Sequence, residues 1–244
     1  MNDTAERGPR QRRTRADALR NREQILRSAV DLIIEQGPTA PMDQIARRAK
    51  VGIATLYRHF PDRSVLLRQV ALDMLRQNSE EAATALAEEA DAFAAMTRYM
   101  HDSIDLRIGV VMPVLVDRIA MDDELLAARK ESRDAVHALV SAAHREGSLR
   151  LDVTSGDISL LIIRFTPPLP GAMDPEANHL LSHRHLELLL DGLVRVMFDQ
   201  ELPGPAMSVD DLTGIPPGPG PGYAGMTAQL RAKDRGRCRP TAAS

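Results

Sequence analysis

The sequence predicts an all-α fold, and three observations predict it. Ala, Leu and Arg are plentiful while aromatics make up 3% of the chain and Trp is absent, so strand-favouring residues are scarce. Apolar residues recur three and four apart through most of the length, the period of a helix with one buried face. Gly, Pro and Asp punctuate that period where helices stop and start. The expected architecture is a three-helix N-terminal head containing a helix-turn-helix, followed by a larger C-terminal helical domain. With 244 residues and 43% hydrophobic content the chain is long enough to bury a sizeable core.

Each element follows from local signals. Residues 1–18 are polar and Arg-rich and include Gly8 and Pro9, the composition of a disordered basic arm. A first helix is expected over 19–36, with Ile25, Ala29, Leu32 and Ile33 on one face and Gly37-Pro38 ending it. A second spans 42–49, with Pro41 in its first turn and Ile45 and Ala46 inward. Lys50-Val51-Gly52 is a tight turn, and a third short helix spans 53–60, stopped by Pro61. Asp62 caps a fourth helix from Arg63, whose apolar side (Val65, Leu66, Val70, Leu72, Leu75) joins head to body. Further helices are expected over 80–103, 109–119, 123–147, 155–165 and 178–198, with Gly147 as a stop and residues 152–155 as the next cap. The run Thr166-Pro167-Pro168-Leu169-Pro170-Gly171 is a rigid linker. Residues 201–244 are Pro/Gly-rich and then basic, the composition of a disordered tail. The domain boundaries are thus 1–18 arm, 19–66 head, 67–200 body and 201–244 tail.

The net charge of −3 conceals an asymmetry: residues 1–63 carry 13 Lys and Arg against 8 Asp and Glu, and the remainder 18 against 26. A basic head on an acidic body suits a protein whose first segment meets a polyanion. Cys238 is the one cysteine, so an intramolecular disulfide and a cysteine metal centre are excluded. No apolar run approaches the roughly 20 residues that span a bilayer, and the Arg-rich N-terminus lacks the apolar core of a secretory signal. A cytoplasmic protein with no membrane partner is expected.

The stretch Val51 to Arg63, VGIATLYRHFPDR, carries the chemistry. Leu56 and Phe60 are four apart and share the buried face, against Ile45, Ala46 and Val51. Ile53, Ala54, Tyr57 and Arg58 then fall outside, and Thr55 and His59 form a second polar edge. An α-helix fits the major groove of B-DNA and reads it with its outer face. Thr55, Tyr57 and His59 suit phosphate oxygens, which fix register. Arg58 reaches either a phosphate or a guanine edge, and only the second specifies sequence. Ile53 and Ala54 suit thymine methyls. Arg63 opens a helix whose N-terminus also favours phosphate, and Arg47 and Arg48 flank the DNA backbone. Arg10, Arg12, Arg13 and Arg15 in the arm suit an adjacent minor groove, or else only solubility.

TLYRHFPDR, behind DQIARRAKVGIA, closely resembles the N-terminal domain of the TetR family of bacterial regulators, as does the Glu35-Gln36-Gly37 helix ending. The resemblance covers about residues 20–70. It implies that Thr55, Tyr57 and His59 lie on DNA, that Arg63 clasps phosphate, and that the protein is a homodimeric repressor released from its double-stranded DNA operator by a small-molecule effector; an activator of the same family is the alternative. Two positions depart from the family pattern. Lys50 stands where Gly is usual, which costs of order 1 kcal/mol if the turn is left-handed. Gly52 replaces the usual Ser or Thr cap.

In the body, HREGSLRLDVTSGDISLLI is similar to a stretch in the SbtR-like subgroup of that family. The segments 158–163 and 186–196 are apolar enough to close a four-helix dimer interface, with 110–116, kinked at Pro113, as runner-up. Phe93, Met96, Tyr99, Met100, Met112 and Phe165 are the candidate lining of an effector pocket, although a Met at helical spacing is more commonly core. The fourth helix, touching both parts, is the candidate coupling element. His179, His183, His185 and Glu187 include the i, i+4 spacing of metal sites, but without HExxH they read as a partly exposed helix face, so no metal is expected. No G-x-S-x-G elbow, P-loop, Rossmann glycine pattern or acid–base carboxylate pair is present, so neither an enzyme nor a cofactor is expected. The remaining alternative, an interaction module using Pro216 to Pro221 as a polyproline ligand, lacks a basic-flanked PxxP core.

Overall fold

The computed structural model describes residues 7–168 and 174–193, with Leu202, Gly204 and Met207 beyond them; residues 7–16 are described in their backbone alone. Among these residues there are nine helices and no strand: α1 (Arg7–Gln36), α2 (Met42–Arg48), α3 (Ile53–His59), α4 (Arg63–Glu88), α5 (Ala92–Asp105), α6 (Ile108–Leu115), α7 (Asp123–Glu146), α8 (Ser155–Phe165) and α9 (Pro175–Leu193). The expected all-α architecture of a helix-turn-helix head and a helical body is the observed one.

Two hydrophobic cores organise the chain. The first joins Ile25, Ala29, Leu32 and Ile33 of α1 to Ile45, Ala46, Leu56 and Phe60, and runs on through the first half of α4 to Val111 and Leu115 of α6 and Leu125 and Ala128 of α7. The second fills the far end of the body with Ala82 and Ala85 of α4, Met96, Tyr99 and Met100 of α5, Leu139 and Val140 of α7, Ile158 and Ile162 of α8, and Leu186 and Leu190 of α9. Helix α4 contributes to both. Its 26 residues span about 39 Å at 1.5 Å per residue, long enough to leave the head and traverse the body.

Three expectations need correction. Helix α1 begins at Arg7 rather than near Leu19, so residues 7–18, expected as a disordered arm, are helical. Arg, Gln and Ala are good helix formers, and Pro9 falls in the first turn, where its missing N–H has no helical acceptor to lose. The break expected between Leu75 and Glu80 is also absent, because α4 runs through it. Asn78 and Ser79 are buried there with their polar groups satisfied: Ser79 Oγ donates to Leu75 O (3.0 Å) and Asn78 Nδ2 to Ser132 Oγ (2.8 Å). The actual break follows Glu88, and Asp91 restarts the chain by accepting from Ala94 N (2.7 Å) as the N-cap of α5. Helix α9 starts at Pro175, three residues before the expected start, Asp174 accepting from Ala177 N (3.1 Å). The expected continuation to residue 198 and most of the tail lie outside the described residues.

The α7–α8 junction forms as its residues dictate. Gly147 closes α7 in the left-handed region (φ 73°), and Ser148 N donates back to Ala143 O (3.1 Å). Thr154 and Asp157 then form a reciprocal capping box at the start of α8. The stretch that carries the SbtR-like resemblance is therefore also a helix stop followed by a helix start.

Candidate DNA-reading face and effector cavity

The helix-turn-helix is held from beneath. Leu56 is fully buried and Phe60 nearly so, and the Arg22 guanidinium lies 5.9 Å from the Phe60 ring centroid. Between α2 and α3 the chain makes a two-bond reversal: Val51 N donates to Ala46 O (3.0 Å) and Lys50 N to Arg47 O (3.1 Å). This is the hydrogen-bond pattern that places its left-handed residue at position 50, where Lys50 has φ 55°. A non-glycine residue therefore stands in a left-handed turn, the strain expected from the sequence. Gly52 is extended (φ −67°) and supplies no side-chain cap; only its carbonyl receives Thr55 N (2.8 Å) and Leu56 N (3.1 Å).

With those anchors fixed, the outer face of α3 is set. Ile53 and Tyr57 are 43% and 47% exposed, far above what large side chains retain in a core, and Ala54 and Arg58 are exposed beside them. Thr55 and His59 are half-buried at the edge. All six candidate reading residues of the third helix thus lie on one accessible surface.

The flanking cations are placed differently. Arg47 is exposed and pairs with Asp43 one turn earlier (2.7 Å). Arg48 makes a two-pronged contact with Glu35 (2.5 and 2.8 Å), pinning α2 to the end of α1 and lowering the Glu35 carboxyl below its ordinary range. Arg63 sends Nη1 to the carbonyls of Pro38 (3.3 Å) and Ala40 in the α1–α2 loop. Sequence reasoning treated Arg48 and Arg63 as phosphate ligands alone; the fold also spends them on holding the head together. The side chains of Arg10, Arg12, Arg13 and Arg15 lie outside the described residues.

The body holds a cavity of about 290 Å³ among α4, α5, α6, α7 and α8. Leu75, Tyr99, Ile108, Met112, Val136 and Ile162 give it an apolar wall, and Asn78, Ser132, Asp117, Arg129 and Arg133 a polar one. Of the six residues expected to line a pocket, Tyr99 and Met112 do so. Met96 and Met100 are fully buried in the second core, and Phe93 and Phe165 pack against that core from its edge. Helical spacing identifies a buried side but not which part of it faces a void. Burial raises the Tyr99 phenol above its ordinary range, so the hydroxyl keeps its proton and donates to Asn78 Oδ1 (3.1 Å). The missed polar lining had one sequence signal: Asn78 interrupts the apolar stripe Ala71, Leu75, Ala82 of α4.

Helix α6 has two loyalties. Ile108, Gly109, Met112, Pro113 and Val116 face the cavity side, while Val111 and Leu115 are fully buried in the core shared with the head. Gly109 lets α6 approach α8 closely: a Cβ there would lie 2.6 Å from Ile162 O and from Thr166 Oγ1. Arg107, immediately before α6, pairs with Asp31 of α1 (2.9 Å). At the other side of the body, Arg68 of α4 bridges Asp122 and Glu124 at the start of α7 (2.6 Å each).

A compact helix-turn-helix with an accessible second helix, set on a helical body that carries a partly open cavity, defines a DNA-binding regulator. A family model described as bacterial regulatory proteins, tetR family, matches residues 25–70. The HTH-type transcriptional repressor LfrR of Mycolicibacterium smegmatis is 30% identical over 132 residues, covering 52% of this chain and 67% of that protein. A TetR transcription regulatory protein from Mycobacterium vanbaalenii superposes with a TM-score of 0.54 at 32% identity, covering 74% of this chain and 99% of that one. A TetR transcriptional regulator from Streptomyces coelicolor gives 0.53 at 26% identity, covering 72% and 99%. The chain belongs to the TetR family of transcriptional regulators, which are DNA-binding proteins and not enzymes. None of the described helices is long and apolar enough to cross a membrane.

Proposed function

We propose that the protein is a cytoplasmic, ligand-responsive repressor that binds a pseudo-palindromic operator as a homodimer and is released by a small molecule held in the body cavity. The observation that carries the reading is the outer face of α3, where Ile53, Ala54, Thr55, Tyr57, Arg58 and His59 lie accessible over the buried anchors Leu56 and Phe60. In this reading Thr55, Tyr57 and His59 hold phosphates, Arg58 a guanine edge or a phosphate, and Ile53 and Ala54 touch thymine methyls. Arg47 adds a backbone contact; Arg48 and Arg63 act there with the donors their intramolecular partners leave over.

Dimerisation runs through α8 and α9. Leu186 and Leu190 are consumed by the intrachain core, but Leu180 and Leu188 on the opposite face of α9 are 64% and 63% exposed. Leu160, Leu161 and Ile163 of α8 are half-buried. Pairing such faces about a two-fold axis sets two α3 helices on successive major grooves, about 34–36 Å apart. The effector is small and largely apolar with a few polar groups, matching a cavity of about 290 Å³ with Asn78 and Ser132 in its wall. Coupling runs through α6 as well as α4, since α6 borders both the cavity and the head core. The repressor sense rests on LfrR, a repressor by name.

The test is binding to DNA from the gene's own upstream region, followed by fluorescence anisotropy across a salt series for wild type and Tyr57→Ala. Wild type is expected to bind with a steep salt dependence, and the variant at least about tenfold more weakly, roughly 1.4 kcal/mol. Equal affinity for the two proteins would remove α3 from the interface.

A further inference from the structure

Outside the DNA face and the cavity, five titratable side chains meet where the end of α5 lies against α9. His179, His183 and Glu187 are spaced by four on α9 and share one face; His101 and Asp105 are likewise four apart at the end of α5. His183 Nε2 is 3.0 Å from Asp105 Oδ1, and His179 Nε2 is 3.1 Å from the same oxygen. These three donor atoms lie within 4.8 Å of one another. On its other side, His183 Nδ1 is 2.5 Å from His101 Nδ1, and His101 Nε2 is 2.7 Å from Glu187 Oε1. The His101 and His183 rings are parallel within 4° with centroids 4.8 Å apart, so the rings meet in line, nitrogen to nitrogen.

A proton count exposes what this arrangement lacks. The contacts Asp105–His183, His183–His101 and His101–Glu187 each require one proton, because ionised carboxylates only accept. Two neutral imidazoles carry two protons between them. A cation must therefore complete the chain, either a third proton or a Lewis acid at the point where Asp105, His179 and His183 converge.

We propose that this is a binding site for a divalent transition-metal ion, with zinc the best match, ligated by Asp105 Oδ1, His179 Nε2 and His183 Nε2 and leaving a fourth, solvent-facing position for water. Zinc holds nitrogen and oxygen ligands at about 2.0–2.2 Å, which in a tetrahedron sets neighbouring donors roughly 3.3 Å apart. The two Asp105 pairs at 3.0 and 3.1 Å need open only by a few tenths of an ångström, while the two histidine donors, which lie within 4.8 Å, would close on the ion by rotation of the half-exposed His179 ring. With the ion on Nε2, His183 donates Nδ1–H to His101 Nδ1, and His101 donates Nε2–H to Glu187. Every contact is then satisfied by neutral rings. That relay is the outer shell which fixes the tautomer of a metal-bound histidine. The sequence offered the α9 residues as a helix face only; their partners come from α5, about 80 positions earlier, which no spacing reveals. The ion would tie α9 to α5 two residues from Arg107, which pairs with Asp31 of the head.

The experiment uses the full-length, tag-free protein after dialysis against chelator. Zinc is titrated calorimetrically, and cobalt(II) by its visible ligand-field absorption. One zinc per chain is expected, with an intense cobalt spectrum of low coordination number and no response to magnesium, which prefers an all-oxygen octahedral set. Asp105→Asn and His183→Gln, each confirmed as helical and DNA-competent, should abolish the cobalt band. Glu187→Gln, which touches no ion, should weaken zinc about 10–100-fold through the relay. No saturable zinc binding, or binding that persists in His183→Gln, overturns the proposal and leaves the third proton as the cation. The site is independent of the DNA-binding reading, so operator binding by the metal-free protein tests that reading separately.

Discussion

Replacing Gly109 by Ala should push α6 away from α8, and the magnitude follows from the structure. The new Cβ would lie 2.6 Å from Ile162 O, 2.6 Å from Thr166 Oγ1 and 2.9 Å from Ile163 Cα, whereas ordinary contact begins near 3.4 Å. Two of the obstacles are backbone, and Thr166 Oγ1 is itself tied to Ile162 O, so none is the free end of a flexible chain. Helix α6 must retreat by about 0.8 Å, and overpacking of this kind costs about 1–3 kcal/mol. Removing a glycine from a helix returns at most about 1 kcal/mol. With the full return the net loss is about 0–2 kcal/mol, a fall in Tm of up to roughly 8 °C for a chain of this size. Gly192 on α9 has nothing within 4 Å of its added Cβ, so Gly192→Ala should melt at or slightly above wild type. Thermal unfolding followed by circular dichroism, at one chain concentration, reads both. Since α6 also borders the cavity and the head core, Gly109→Ala should in addition change operator affinity, whereas Gly192→Ala should not. A Gly109→Ala protein that melts at or above wild type and binds DNA equally well would refute the close-packing argument.

Two further outcomes test the turn and the α7–α8 junction. Lys50→Gly relieves a left-handed residue (φ 55°) and should raise Tm by about 1–4 °C, a gain near 0.5–1 kcal/mol, while Lys50→Val should lower it; the reverse order would mean that position 50 is not left-handed in solution. Asp152 accepts from Arg150 Nε (3.0 Å) and Nη2 (2.8 Å) and from Leu202 N (2.8 Å), and the Arg150 contact above all holds its carboxyl down to about 2 from an ordinary 3.8. A depressed carboxylate stabilises the fold above its unfolded value and loses that contribution as pH falls through its folded value. Wild type should therefore exceed Asp152→Asn in urea midpoint by a constant margin above about pH 5, and the margin should close between about 4 and 2. A margin independent of pH would show that the contact, not the charge, matters.

The head was legible because its signals are local. Leu56 and Phe60 four apart, Asp62 before Arg63 and the reversal at 49–52 each act within a few residues and appear where the period and the turn chemistry place them, while Pro41 falls one position earlier than expected, as the extended N-cap of α2 rather than in its first turn. The lower edge of the body was legible for the same reason at Gly147 and at Thr154 with Asp157. The α4–α5 boundary was not, since Asn78 and Ser79 look like helix breakers until Ser132 and Leu75 O supply their partners. That information belongs to tertiary contacts 54 positions away in the case of Asn78 and Ser132. Residues 7–18 misled in the opposite sense: a dense Arg composition with Gly8 and Pro9 reads as disorder, yet those two fall in the first turn and the Arg, Gln and Ala that follow are good helix formers.

The same distinction separates the two sites. The proposed reading face belongs to one short helix, so periodicity places its candidates Ile53, Ala54, Tyr57 and Arg58 on the exposed side and Thr55 and His59 at its edge. A cavity is a space left between several helices, and no single period encodes it. Met96 and Met100 satisfy every local criterion that Met112 does, yet α7, α8 and α9 close over the first two and leave the third facing a void. Gly109, also in the cavity lining, lets α6 come close to α8 on that side. Val111 and Leu115 of α6 are fully buried in the core that runs on into the head, so under the proposed effector response a molecule that shifts the cavity face of that helix would also load that core. In that proposal helix α4, the element the sequence nominated, would respond at Leu75 and Asn78, and α6 would act as a second lever through the Arg107–Asp31 pair.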